Sequence, residues 1–77
     1  MTYKEAYKSV KDWKKKASLI SMFHHKMCLK NDKWTMRATA LYFGVSLGKV
    51  SEDIKIVLQM EKVKNCETRH DALIILK

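Results

Sequence analysis

Glycine and proline, the residues that interrupt helices most strongly, are nearly absent from this 77-residue chain. It contains no proline and two glycines, Gly44 and Gly48, which lie four residues apart. Outside this stretch little in the sequence favours tight turns or hairpins, so the chain is expected to form long helices. We predict an all-α fold in which residues 1–77 form one small helical domain. It has a long N-terminal helix over residues 1–33, two helices around the glycines at 34–61, and a C-terminal helix over 62–77.

The stretch around the glycines predicts two helices, near residues 36–43 and 47–61, joined by a tight turn. Thr35 and Ser46 are good N-caps, because a hydroxyl oxygen can accept a hydrogen bond from a free amide of the first turn. Gly44 can adopt the left-handed conformation that ends a helix. One buried face of the second helix is predicted from helical spacing and comprises Val50, Ile54, Val57 and Leu58. Two helices joined by a short turn containing glycine form a helix-turn-helix, whose second helix enters the DNA major groove.

This stretch resembles the helix-turn-helix of small bacterial, phage and plasmid DNA-binding proteins. The resemblance covers about a third of the chain and rests on Gly44-Val45-Ser46 followed by Val50-Ser51-Glu52-Asp53-Ile54, with Thr39, Ala40 and Phe43. It implies a sequence-specific protein for double-stranded DNA, acting in transcription, or in partition or replication of a phage or plasmid. Its expected location is the cytoplasm or nucleoid of a bacterial cell. An ordinary corner between two helices, with a glycine C-cap and no DNA, gives the same local pattern.

The predicted DNA contacts lie on the second helix and beside the starts of both helices. On the second helix they are Leu47, Gly48, Lys49, Ser51, Glu52 and Lys55, and beside the helix starts Thr35, Arg37 and Ser46. Lysine can reach guanine edges or phosphates, serine can bind a base or a phosphate, and glutamate can accept from the cytosine amino group. Asp53 is expected to pair with Lys49, four residues before it on the same helix.

The net charge of +8 is large for a chain of this length and favours a polyanionic partner. Residues 1–33 contain nine lysines and three acidic residues, whereas residues 34–77 contain seven basic and five acidic residues. Most of the excess positive charge therefore belongs to the N-terminal segment and not to the second motif helix.

The N-terminal segment predicts a single helix from about Tyr3 to Leu29, although two helices broken near residues 14–16 fit the same pattern. Thr2 and Glu5 have the spacing of a capping box. An apolar stripe of Ala6, Val10, Trp13, Ala17 and Ile20 faces the core, and a stripe of Lys4, Lys8, Lys11 and Lys15 lies opposite. The lysines are interpreted either as contacts along DNA phosphates or as an ordinary solvated face.

Asn65 or Thr68 can cap a last helix that carries Ala72, Leu73, Ile75 and Leu76. A strand of a small wing is the alternative, but no second strand with a hairpin turn is available to pair with it. An apolar terminal stretch on so small a domain can also pack on a second copy, which makes a homodimer a possible partner.

Other classes of function have weaker support in the sequence. His24 and Cys28 are four residues apart, as are Cys66 and His70, but both pairs also fit amphipathic helices. We predict no metal or cofactor, and two reduced thiols. No phosphate-binding glycine loop or nucleophile motif is present, so we expect neither an enzyme nor a small-molecule substrate.

No apolar run approaches the length of a membrane span, so we predict no membrane partner. An assembly or DNA-packaging module remains the alternative to a DNA-binding regulator. Peripheral attachment to a membrane through the basic N-terminal helix is a third interpretation.

Overall fold

The computed structural model of the protein describes residues 2–77, and within them it contains six helices and no strand. The helices are α1 (Tyr3–Ser9), α2 (Trp13–Lys30), α3 (Met36–Phe43), α4 (Leu47–Leu58), α5 (Met60–Val63) and α6 (Arg69–Ile75). The all-α prediction is confirmed. The C-terminal segment is a helix and not a wing strand, and Thr68 caps it by accepting from the amide of Asp71.

The prediction of one helix over residues 3–29 is wrong, because the helix is interrupted at residues 10–12. Val10 has an extended conformation (φ −85°, ψ 135°), and Asp12 caps α2 by accepting from the amide of Lys14. The two-helix alternative placed the break near residues 14–16, and the observed break lies before them. It lets α1 fold back on α2 and α3, where the Tyr7 ring lies 5.2 Å from that of Phe43. The lysine stripe is therefore divided: Lys4 and Lys8 lie on α1, Lys11 in the connection and Lys15 on α2.

The helix predicted over residues 47–61 ends earlier, at Leu58. Gln59 leaves the helical conformation (φ −121°, ψ 32°), and α5 begins at the next residue. This bend directs Val63 into the core, where it is fully buried. Leu58, which helical spacing placed on the buried face, is instead 78% exposed.

Two apolar clusters form the core, and α2 and α4 contribute to both. The first, here called the aromatic cluster, centres on Phe23, whose ring stacks on Tyr42 at 4.1 Å between centroids. The second brings Ala17 of α2 and Ile56 of α4 together with Val63, Ala72 and Leu76. Because α4 packs along α2 through both clusters, its orientation on the rest of the domain is fixed at both ends.

Candidate nucleic-acid interface

The connection between α3 and α4 consists of three residues, and glycine is required at its first position. Gly44 has φ +71° and ψ 35°, the only positive φ within residues 2–77. Its amide donates to the Leu41 carbonyl and that of Val45 to the Ala40 carbonyl, at 3.3 and 3.0 Å. These are the two hydrogen bonds of a Schellman motif. Val45 also packs against the aromatic cluster, which fixes the direction in which the chain leaves the turn.

One face of α4 is anchored and the opposite face is open. Val50 and Ile56 are fully buried, and Ser46 caps the helix by accepting from the amide of Lys49. The open side, here called the outer face of α4, comprises Leu47, Gly48, Ser51 and Lys55, all of which are exposed. These four residues are therefore accessible to a large partner.

Two other predicted contacts of α4, Lys49 and Glu52, are engaged within the protein. The predicted pairing of Lys49 with Asp53 is confirmed, with Nζ and Oδ2 3.7 Å apart. Glu52 accepts from Nη2 of Arg69 at 2.9 Å, although its side chain stays half exposed. To contact DNA, Lys49 must release or share Asp53, and Glu52 must release or share Arg69. Within residues 2–77, Ser51 and Lys55 have no such competing ion pair.

Arg69, which the sequence analysis did not single out, joins α6 to α4. Its Nε donates to Oδ1 of Asp53 at 2.8 Å, and Asp53 is 1% exposed. Partial burial acts to lower the pKa of the guanidinium, but hydrogen bonds and attraction from Asp53 and Glu52 together raise it above its ordinary value. The acidic pair Glu52-Asp53 was the available signal, since Lys49 is the only basic residue three or four positions from Asp53 along α4.

The charges of this ion pair also act on the phenol of Tyr7 in α1. Burial raises the pKa of the Tyr7 phenol, the Asp53 carboxylate raises it further, and Arg69 lowers it. Oδ2 of Asp53 has no hydrogen-bond donor among residues 2–77, and Nζ of Lys49 lies 3.7 Å from it. Helices α4 and α6 therefore meet at one buried carboxylate, and its charge acts on the Tyr7 phenol of α1.

The predicted DNA contacts outside α4 lie at the starts of α3 and α4 and in the N-terminal segment. Thr35 and Ser46 each accept an amide hydrogen bond as caps, at 3.2 and 3.1 Å, and each retains a hydroxyl hydrogen that can be donated outward. Arg37, one residue into α3, is exposed. The lysines at 4, 8, 11 and 15 are exposed too, but they belong to three separate segments.

A network of hydrogen-bonded side chains links α2 to α3. Nε1 of Trp34 donates to Oγ1 of Thr39 at 2.8 Å, and the same hydroxyl lies 2.7 Å from Nδ1 of His24. Nε2 of His24 lies 3.5 Å from Sγ of Cys28. Burial lowers the pKa of His24 below its ordinary value of 6.5, and the neighbouring His25 lowers it further. A neutral imidazole can therefore bridge the hydroxyl and the thiol.

Both cysteines are free and half-buried. Within residues 2–77 no group of three or more His, Cys, Asp or Glu side chains is arranged to hold a metal ion. The His24–Cys28 and Cys66–His70 pairs are therefore not brought together as one site. Cys66 lies before α6 and packs in the second cluster, so it does not share a helix face with His70.

No helix in the described part of the chain combines the length and the apolar character that crossing a membrane requires. Comparison with protein-family models, with curated proteins and with solved structures finds no match for this chain.

Proposed function

We propose that this protein binds double-stranded DNA sequence-specifically by inserting α4 into the major groove. Its role would be that of a transcriptional regulator, or of a partition or replication factor of a phage or plasmid, in a bacterial cytoplasm or nucleoid. The observation that carries the proposal is the pair α3–α4. The two helices are joined by a glycine-containing turn of three residues, and the outer face of the second helix is open.

Sequence discrimination is assigned to the outer face of α4. Lys55 can donate to guanine O6 and N7, and Ser51 can exchange hydrogen bonds with a base edge or a phosphate. Leu47 offers an apolar contact to a thymine methyl group, and Gly48 lets the first turn approach the bases closely. Lys49 and Glu52 take a secondary part, because Asp53 and Arg69 already bind them.

Positioning on the duplex is assigned to Thr35, Arg37 and Ser46, together with the exposed lysines of the N-terminal segment. Contacts to phosphate fix orientation and carry no sequence information themselves. They make the affinity dependent on salt, with a slope of roughly −0.9 for each phosphate neutralised.

The decisive experiment selects enriched sequences from a pool of random duplexes at about 150 mM salt, the concentration at which specific binding must outlast phosphate contacts. The test variant is Ser51→Ala/Lys55→Ala, because both side chains are exposed and neither has a polar partner among residues 2–77 that the substitution would leave unpaired. The matched control is Lys62→Ala, which removes the same charge from an exposed position on α5.

We expect one enriched motif for the wild type and for Lys62→Ala. The double variant should lose about 1–3 kcal/mol of discrimination for each base contact removed. A palindromic motif would indicate that two copies bind together. Equal, salt-sensitive binding to all sequences in all three proteins would contradict the assignment to α4, and absence of binding would contradict DNA recognition itself.

A protein-interaction or DNA-packaging assembly module is the second candidate function, and exposed leucines favour it. Leu29, Leu41 and Leu58 are each more than three-quarters exposed on three different helices. Exposed leucines indicate an interaction surface where they adjoin one another, whereas leucines exposed singly are ordinary. If random duplexes show no enrichment, this candidate replaces the first.

A further inference from the structure

A cleft of about 450 Å³ lies between α2 and α4. Its mostly apolar wall includes Ile54 and Leu58 of α4 and Met22 of α2, and its polar side chains include His24 and Cys28. Met22 is 56% exposed and Leu58 is 78% exposed. The two best metal-ligand types in the chain therefore border a cleft whose rim is apolar and open to solvent.

The separation of the two ligand atoms is that required for chelation. Sγ of Cys28 and Nε2 of His24 are 3.5 Å apart. For zinc, a sulfur ligand at ~2.3 Å and a nitrogen ligand at ~2.0–2.1 Å enclose a tetrahedral edge of about 3.5–3.6 Å. The contact between Nε2 of His24 and Sγ of Cys28 thus holds both atoms at the spacing that a tetrahedral ion would impose.

The imidazole of His24 is also oriented as a metal ligand requires. Its Nδ1 lies 2.7 Å from Oγ1 of Thr39, and Thr39 is fully buried and held by Nε1 of Trp34. A histidine that binds metal through Nε2 typically donates Nδ1–H to such an oxygen, which fixes the ring and its tautomer.

One chain supplies only two ligands, whereas a closed zinc site uses four. We propose that a zinc ion at this cleft is shared by two copies of the protein. Each copy contributes His24 Nε2 and Cys28 Sγ, so that the pair completes a Cys₂His₂ site. Each Cys28 loses its thiol proton to solvent when its sulfur binds the ion. The exposed Met22 and Leu58 then bury against the second copy around the metal.

This site does not depend on DNA binding, so its test is separate. The reduced, metal-stripped protein is titrated with Co²⁺ and then Zn²⁺, while absorption and molar mass in solution are followed. We expect a thiolate-to-cobalt charge-transfer band, ligand-field bands of tetrahedral intensity, saturation at one ion for two chains, and a doubled mass. Zinc should displace cobalt and keep the dimer.

The chain provides a control of the same composition and spacing. Cys28→Ser and His24→Gln should each abolish the absorption and the dimer. Cys66→Ser/His70→Gln removes another cysteine–histidine pair four residues apart and should preserve both. Far-ultraviolet circular dichroism of Cys28→Ser, a near-isosteric change, verifies that its loss of binding is not unfolding. Saturation at one ion per monomer, no charge-transfer band, or equal loss in the Cys66/His70 variant would overturn the proposal.

Discussion

At the scale of single residues, the two glycines have opposite structural roles although they lie four positions apart. Gly44 ends α3 with φ +71°, whereas Gly48 is inside the first turn of α4. At both positions an added Cβ would meet no atom within 4 Å, so crowding cannot distinguish them. Backbone conformation is therefore the only difference that an alanine substitution should detect.

Gly44→Ala is expected to lower the free energy of unfolding by about 1–2 kcal/mol, the cost of a left-handed conformation for a residue with a Cβ. Gly48→Ala should raise it by roughly 0.5 kcal/mol, because alanine is the better helix former. Urea unfolding of both variants measures the difference. Equal effects of the two substitutions would mean that the turn does not require a left-handed residue in solution.

The titration of His24 gives a prediction for the dependence of stability on pH. Because burial and His25 lower its pKa in the folded protein, the unfolded chain takes up a proton nearer 6.5 than the folded chain does. Below that pH the unfolded state binds more protons than the folded state. The contribution of neutral His24 to the free energy of unfolding is therefore complete above pH 6.5 and is lost as the pH falls.

We expect the protein in EDTA to lose thermal stability between about pH 7 and about pH 5, the range in which histidine titrates. His24→Gln should flatten this dependence, whereas His70→Gln, at an exposed position, should retain it. Melting temperatures across the range test this. A profile that His24→Gln leaves unchanged would assign the proton uptake to another group.

At the scale of helices, the break between α1 and α2 has no glycine or proline to cause it. Asp12 caps the second helix, and α1 gains contacts of Tyr3 with Phe23 and of Tyr7 with Phe43. Lys16 and Lys26 of α2 also lie over the Tyr7 and Tyr3 rings, at 4.5 and 5.6 Å from their centroids. Packing of the aromatic rings outweighs the hydrogen bonds that a continuous helix would gain.

A proline substitution tests the position of this break. Val10 has the extended conformation that a following proline favours, so Lys11→Pro should change stability by less than about 1 kcal/mol. Lys26→Pro, inside α2, should cost about 3 kcal/mol or more, because it removes a hydrogen bond and clashes with the preceding turn. Chemical unfolding compares the two. A large loss in Lys11→Pro would favour one continuous helix.

The docking of α6 on α4 depends on Arg69, because it neutralises a carboxylate that is almost fully buried. Arg69→Ala leaves Asp53 with only Lys49 at 3.7 Å and should cost about 2–4 kcal/mol, less than for a fully buried pair since the arginine is partly exposed. Glu52→Gln, which alters the exposed partner, should change stability by less than about 1 kcal/mol. Similar losses in the two variants, measured by urea unfolding, would contradict the importance of burial.

At the scale of the whole molecule, positive charge is the dominant long-range term. The net charge is +8, and the described ion pairs involve mainly α4, α5 and α6 rather than the lysine-rich N-terminal segment. Repulsion among these lysines opposes the compact state and is screened when the Debye length shortens.

We expect the melting temperature to rise as sodium chloride is increased from about 20 to about 200 mM, a range over which the Debye length falls about threefold. Lys4→Glu/Lys11→Glu, at exposed positions, reverses two of these charges and should reduce the rise. A melting temperature that falls with salt would show that the ion pairs around Asp53 outweigh the repulsion.

The sequence by itself determined the features that depend on neighbours three or four residues away. The all-α class follows from the lack of breakers. The caps at Thr2, Thr35 and Ser46 and the turn at Gly44 follow from local hydrogen bonding and allowed dihedral angles. The Lys49–Asp53 pair follows from helical spacing. Of the candidate site, the sequence predicted the local part, namely the turn at Gly44 and the Ser46 cap that starts α4.

Only the tertiary structure decided what depends on residues far apart in the chain. The Arg69–Asp53 pair spans 16 residues, and the hydrogen bond from Trp13 Nε1 to the Glu67 carbonyl spans 54. The break at residues 10–12, the bend at Gln59 and the exposure of Leu58 follow from such packing. Helical periodicity identifies residues on one face of a helix, but other helices determine how much of that face they cover.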